Sequence, residues 1–265
     1  MNKREQGHEY RVQTMIFLAR TGYGSTRQVA RAVWRGGDMS SRKMASRTLR
    51  WLLEQGYIVT KRDGGSVNGE QLSAVTSVGA AWIAEHGEPL PGGKAHARDW
   101  LRHAHAHRTA CNSVYAAKCG MLDEERLIWS ELEVRAKIAP IHQFAYTFDE
   151  KKTVKIPDLL AKLANGGYEW IEVENNWRSE TDLKKMIACM RAMFWGAQTR
   201  FSHVHFVITA PGAKSIGQRL RRAMTHDLHS GEARQIKELD ARILREHLKV
   251  STLDPETLEL KRVEF

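Results

Sequence analysis

The stretch from Val154 to Asn175 limits what this chain can fold into more than any other. A short apolar run ends at Pro157-Asp158, Asn165-Gly166-Gly167 follows, and Tyr168-Glu169-Trp170-Ile171-Glu172-Val173-Glu174 forms a second run. An Asn-Gly-Gly turn between two strand-like runs predicts a β-hairpin, which brings Asp158 alongside the second run. Side chains alternate across a strand, so Glu172 and Glu174 share one face while Ile171 and Val173 share the other. Three carboxylates meeting at a strand end repel one another unless a cation sits between them. Hard divalent ions prefer oxygen ligands, so Asp158, Glu172 and Glu174 are the expected metal ligands.

The charge balance indicates what such a site faces. Lys and Arg number 41 against 31 Asp and Glu, a net charge of +10 over 265 residues. That excess favours a polyanion such as DNA or RNA, or an anionic membrane surface. Hydrophobic residues make up 42% of the chain, enough for real cores and against wholesale disorder. No apolar run approaches the roughly 20 residues that span a bilayer, and the first residues carry no signal-peptide core. A cytoplasmic protein without a membrane partner is expected. Cys111, Cys119 and Cys189 are few, odd in number and outside zinc-finger spacing, so they read as core thiols in a reducing compartment.

Residues 1–90 read as one domain and 91–265 as another, joined by Gly87-Glu88-Pro89-Leu90-Pro91-Gly92-Gly93, which continues neither helix nor sheet. In the first domain an amphipathic helix through Val12, Met15, Ile16 and Leu18 stops before Thr21-Gly22-Tyr23-Gly24. Ser25 or Thr26 caps a short helix to Trp34, and Ser40-Ser41 open a third from Arg42 to Gln55. A strand at Tyr57-Ile58-Val59-Thr60, a basic loop, a strand at Leu72 to Val75 and a helix from Val78 to Glu85 complete the order of a winged helix. There the third helix enters the major groove of double-stranded DNA. Arg42, Lys43, Arg47 and Arg50 on that helix, with Lys61 and Arg62 at the wing tip, are the expected DNA-binding residues.

The second domain reads as mixed α/β. A helix from Asp99 to Cys119 carries His103, His105 and His107, and strands follow at Leu127 to Val134, Phe144 to Phe148 and Val154 to Ala161. After the acidic strand come a helix from Glu180 to Gly196, an apolar strand from His203 to Thr209, helices near Lys214 to Met224 and Glu232 to Leu248, and a last strand near Leu258 to Val263. Glu131 ends the first strand as a fourth candidate metal ligand or as a surface partner of Arg135. His103 and His107 share a helix face, where phosphate contact or packing competes with metal binding. Trp177, Phe194, Trp195 and Phe201 read as packing around the long helix.

Pro157-Asp158, then Glu172-Val173-Glu174, then a helix holding Lys184 and Lys185, resembles the core of the PD-(D/E)xK nucleases. With the N-terminal winged helix, Trp129-Ser130-Glu131, and His107 and Asn112 on the preceding helix, the pattern is similar to plasmid replication-relaxation proteins and MobC-type mobilisation relaxases. The resemblance implies a restriction-endonuclease-like domain in which Asp158 and Glu172, on neighbouring strands, hold Mg²⁺ or Mn²⁺. It also implies that the residue two positions after Glu172 helps place the attacking water. Here that residue is Glu174, where the family has lysine. A lysine is then needed from elsewhere: Lys155, Lys184 and Lys185 are candidates, with Lys184 taken as catalytic beside Asp158, Glu172 and Glu174.

Two readings of function follow. In one, the chain nicks a DNA strand at a plasmid or mobile-element origin, alongside other relaxosome or mobilisation proteins; Tyr146 or Tyr168 would serve a covalent mechanism, and water is the default nucleophile. In the other, it is a winged-helix repressor or relaxosome accessory factor whose nuclease-like domain is inactive and supports a homodimer. A nuclease of host defence is a third, weaker option.

Overall fold

Capping chemistry opens the helices of the first unit. The structure, a computed structural model, describes residues 2–62, 69–86, 97–119, 127–176, 179–195, 200–209, 214–225 and 231–264. Asn2 and Glu5 close a capping box on α1 (Lys3–Thr21), and Ser25 and Gln28 close another on α2 (Thr26–Trp34). Asp38 caps α3 (Met39–Glu54), so the third helix starts earlier than Ser40-Ser41 suggest. The short strand β1 (Gly24–Ser25) pairs with β3 (Gln71–Val75), which pairs with β2 (Ile58–Arg62), and α4 (Ser77–Ala84) follows. The order of elements is the one expected of a winged helix. Lys61 and Arg62 belong to strand β2 rather than to the loop, whose centre lies outside the described residues.

The remainder is built on one mixed sheet. Its elements are α5 (Ala97–Arg102), α6 (Ala106–Cys119), β4 (Ile128–Trp129), α7 (Glu131–Arg135), β5 (Phe144–Phe148), β6 (Lys151–Lys155), β7 (Leu159–Lys162) and β8 (Tyr168–Glu174). Then come α8 (Glu180–Phe194), β9 (Phe201–Ile208), α9 (Lys214–Thr225), α10 (Gly231–His247), β10 (Leu248–Leu253) and β11 (Leu260–Arg262). The strand order is β11-β10-β9-β8-β7-β4, parallel across β8, β9 and β10 and antiparallel at both margins. β5 and β6 form a separate ribbon. Helices and strands together make the chain α/β, as expected.

Alternation on β8 decides which core each side chain joins. Ile171 and Val173 pack with Val114 and Ala117 of α6, whereas Trp170 packs with Met186, Met190 and Phe194 of α8. Arg191 of α8 clamps the fully buried Asp240 of α10 through two 2.7 Å hydrogen bonds.

Other boundaries differ from expectation too, and the strand expected from Val154 to Ala161 is divided at Ile156-Pro157-Asp158 between β6 and β7. The helix through the histidines breaks into α5 and α6, with His103 and His105 at the break, because Leu101 is buried against Tyr23 and Leu72 of the first unit. The run Leu127 to Val134 is strand only at β4; Ser130 and Glu133 then form a capping box and start α7. Strand β10 occupies Leu248–Leu253, where the sequence pattern predicts no strand.

The two units share one hydrophobic core. Met15, Leu18 and Val29 belong to the same cluster as Val114, Tyr115 and Ile171. Asn112 donates to the Tyr23 carbonyl at 2.8 Å, Gln28 donates to Ser113 at 2.8 Å, and Arg20 pairs with Glu133 at 2.8 Å. Gly37 sits so close to Thr257 that a Cβ there would lie 2.4 Å from its carbonyl oxygen. The linker 87–93 lies outside the described residues. Protease cleavage within 87–93 is therefore expected to give two fragments that still co-elute on size exclusion, and free N-terminal fragment in the eluate would contradict a shared core.

Candidate functional site

The hairpin forms as expected. Gly166 adopts φ +81, a conformation that favours glycine, and donates to Leu163 at 2.9 Å. Leu159 then pairs with Ile171, which puts Asp158 beside the acidic end of β8. The Asp158 backbone N–H donates to the Ile171 carbonyl at 3.1 Å. Its Oδ2 accepts from the Val173 N–H at 2.8 Å. Its Oδ1 lies 3.0 Å from His107 Nε2, and His107 Nδ1 lies 3.3 Å from Asn175 Oδ1. Cys111, one turn further along α6, has its sulfur 3.6 Å from His107 Nε2.

Glu172 and Glu174 are both buried on the opposite face from Ile171 and Val173. Glu172 takes the Trp170 indole N–H at 2.7 Å and Lys155 Nζ at 2.8 Å. The lysine that meets Glu172 is thus Lys155, brought over from β6. Lys184 is exposed and pairs with Glu180 at 2.9 Å on the surface of α8. Glu131 is buried but binds Arg108 at 3.2 Å and Arg135 at 2.7 Å. Burial opposes its ionisation, yet the two guanidinium groups hold the Glu131 carboxyl below its ordinary value. It begins a helix rather than ending a strand.

No family model matches the chain, and no curated protein matches it. One solved structure, protein VC1899 from Vibrio cholerae, aligns over 91% of this chain at 12% identity with a TM-score of 0.28. The chain spans about half of that protein, 52% of its length. A likeness at that level assigns neither fold nor function.

The hydrogen bond that His107 donates to Asp158 raises the imidazole to about 9, against the opposing effect of burial. A group whose native pKa exceeds its unfolded value of about 6.5 stabilises the fold fully below that pH. The contribution is lost as pH rises through about 9. The stability gap between wild type and His107→Gln should accordingly narrow between pH 6.5 and 9 in thermal melts; a gap that widens would contradict a protonated His107.

The basic residues of α3 divide. Lys43, Arg47 and Arg50 are exposed at helical spacing and form one stripe. Arg42 instead turns to the Asp254–Thr257 turn, where its guanidinium donates to the Glu256 carbonyl. Lys61 and Arg62 are exposed, with Lys61 Nζ 3.4 Å from the Leu101 carbonyl. Among the described residues no helix is long and apolar enough to cross a membrane.

Of the tyrosines, Tyr146 is buried on β5, and burial raises its phenol above the ordinary value. Tyr168 lies at the hairpin end of β8, four residues from Glu172, about 13 Å along a strand. Burial pushes Cys119 and Cys189 up to about 12, so both stay protonated at neutral pH. Trp177 lies outside the described residues.

One cluster escaped the sequence reading. Glu169, on the face of β8 turned toward α6, accepts from His203 at 2.7 Å, from His205 at 2.9 Å and from Lys118 of α6. The other ring nitrogen of His205 lies 2.9 Å from Ser251 Oγ on β10. His-x-His at positions 203 and 205 of a strand read as apolar was the available signal.

Proposed function

We propose that the chain binds double-stranded DNA through α3 and its wing and nicks one strand at an acidic site around Asp158, Glu172 and Glu174. The reading rests on a single observation. Asp158 stands at the head of β7, bonded to the backbone between Glu172 and Glu174, while Lys155 reaches Glu172 from another strand. That supplies a lysine to Glu172, in a motif whose own third position is glutamate. The three carboxylates match Mg²⁺ or Mn²⁺ in kind but do not converge in this structure: Asp158 turns to His107 while Glu172 binds Lys155. Joint ligation requires Asp158 to leave His107 and Glu172 to exchange Lys155 for the ion. A bound ion would polarise the scissile phosphate. Lys155 would meet charge developing on the phosphate, and Trp170 would fix the Glu172 carboxylate through its indole N–H.

The rival reading, a DNA-binding protein with an inert nuclease-like domain, is favoured by the same contacts. In it Asp158 and Glu172 are already neutralised by His107 and Lys155 and need no ion. Incubating supercoiled plasmid bearing the origin with protein and Mn²⁺ separates the two. Open circles with the wild type, and none with Glu172→Gln or Lys155→Ala, are expected for the nickase. No nicking by a wild type that binds the origin duplex would leave the rival standing.

A further inference from the structure

We propose that His107, Cys111 and Asp158 form a transition-metal site that takes a zinc-class ion and leaves one coordination position open. This goes beyond the nicking reading and shares only Asp158 with it, since His107 and Cys111 have no part in the acidic pair. The two α6 residues are four apart, so they project from one helix face. Asp158 approaches that face from the head of β7. The ligand atoms of the three residues lie within 4.8 Å of one another.

The two sides of the triangle that meet at His107 come close to the lengths an ion would impose. Tetrahedral zinc at its usual bond lengths separates a nitrogen and an oxygen ligand by about 3.4 Å, and a nitrogen and a sulfur ligand by about 3.6 Å. The observed separations are 3.0 Å for His107 Nε2 to Asp158 Oδ1 and 3.6 Å for His107 Nε2 to Cys111 Sγ. Along these two sides an ion moves the atoms by no more than about 0.4 Å, and the third side, Asp158 to Cys111, which lies within 4.8 Å, would have to settle near about 3.6 Å. Both ends are also braced from behind. Asn175 Oδ1 accepts from His107 Nδ1–H, the arrangement that fixes a ligating imidazole and turns Nε2 toward the metal. The Val173 N–H holds Asp158 Oδ2 and leaves Oδ1 facing the histidine.

The donor types select the metal. One nitrogen, one sulfur and one oxygen suit zinc, cobalt or iron(II), whereas magnesium avoids thiolate. Three protein ligands with a free fourth position is the pattern of a catalytic rather than a structural zinc. Side-chain exposures of 33% for His107 and 15% for Asp158 leave the ion reachable from solvent. Glu131 does not fill the fourth position, because both of its oxygens are held by arginines.

Cobalt reports on this directly. Metal-stripped protein titrated with Co²⁺ is expected to bind one equivalent, with the intense visible bands of tetrahedral cobalt and a near-ultraviolet thiolate-to-cobalt band; zinc should bleach both. Cys111→Ser, judged folded by its melting curve, should lose the thiolate band, and Cys119→Ser and Cys189→Ser should keep it. Asn175→Ala should retain the spectrum while weakening zinc binding about 10–100-fold. Glu172→Gln should leave the cobalt spectrum intact whatever it does to nicking, so the site and the nicking reading fail separately. A wild type without a thiolate band, a Cys111→Ser variant that keeps one, a Glu172→Gln variant that loses it, or undiminished zinc affinity in Asn175→Ala would each overturn the site.

Discussion

Truncating Glu169 to alanine should lower the stability of the fold by about 3–5 kcal/mol, the cost of leaving a buried charge without its partner. Lys118 ends α6 under the sheet, and Glu169 is its carboxylate. The same carboxylate fixes His203 and His205, both buried, so the loss would strand three donors at once. Urea unfolding would read the change as a lower midpoint at constant slope. The pair Glu169→Leu with Lys118→Met should recover part of the loss, since apolar replacements remove the orphaned charge together with its partner. A single-variant loss under about 1 kcal/mol would show the charge reaching water instead.

The cluster also sets an acid limit. Burial alone would raise the Glu169 carboxyl, but the histidine hydrogen bonds and the Lys118 charge hold it far below the usual carboxylate range. Burial pushes His205 down to about 4 against the pull of Glu169. Both native values lie below the unfolded ones, so both contributions are present at neutral pH and are lost as pH falls. The histidine contribution declines between about 6.5 and about 4, and that of Glu169 declines below about 4.3, where the unfolded carboxyl takes up its proton. Midpoints that fall from pH 7 to pH 4 in the wild type and stay flatter in His205→Leu are expected.

Replacing Lys43, Arg47 and Arg50 together by alanine should remove about 2.7 units from the log–log salt dependence of duplex binding, roughly 0.9 for each lost phosphate contact. The three project as one exposed stripe, and none is spent within the protein at a distance short enough for an ion pair among the described contacts. Arg42 behaves differently. It already bonds Glu256, so Arg42→Ala should change the slope by well under one unit. Equal effects for Arg42→Ala and Arg47→Ala would mean that the Asp254–Thr257 turn leaves α3 when DNA arrives.

Local signals were legible and long-range ones were not. Ser25 with Gln28 and Asn165-Gly166-Gly167 carry their structures in a few adjacent residues, and α2 and the β7–β8 hairpin form as read. Ser130-Glu131-Leu132-Glu133 held an equally local capping box, but the alternating apolar run around it pointed to a strand. The break between α5 and α6 has no glycine or proline to announce it, because packing of Leu101 on the first unit imposes it. Within the candidate site, the adjacency of the Asp158 and Glu172 backbones followed from hairpin register, but the expected meeting of the Asp158, Glu172 and Glu174 carboxylates did not, because Asp158 turns to His107. Lys155, three residues from Asp158, is one of the lysines the sequence offers, whereas His107 and Cys111 reach Asp158 by tertiary contact, which spacing along the chain does not encode.

The core common to α1, α2, α6 and β8 has a mechanical consequence. A DNA duplex gripped along α3 would meet Asp158 at a separation set by side-chain packing, not by linker length. Any strand break would then fall at a constant number of base pairs from the recognised sequence. Lengthening the 87–93 segment would leave that offset unchanged, as with a ruler whose two marks are cut into one piece of metal.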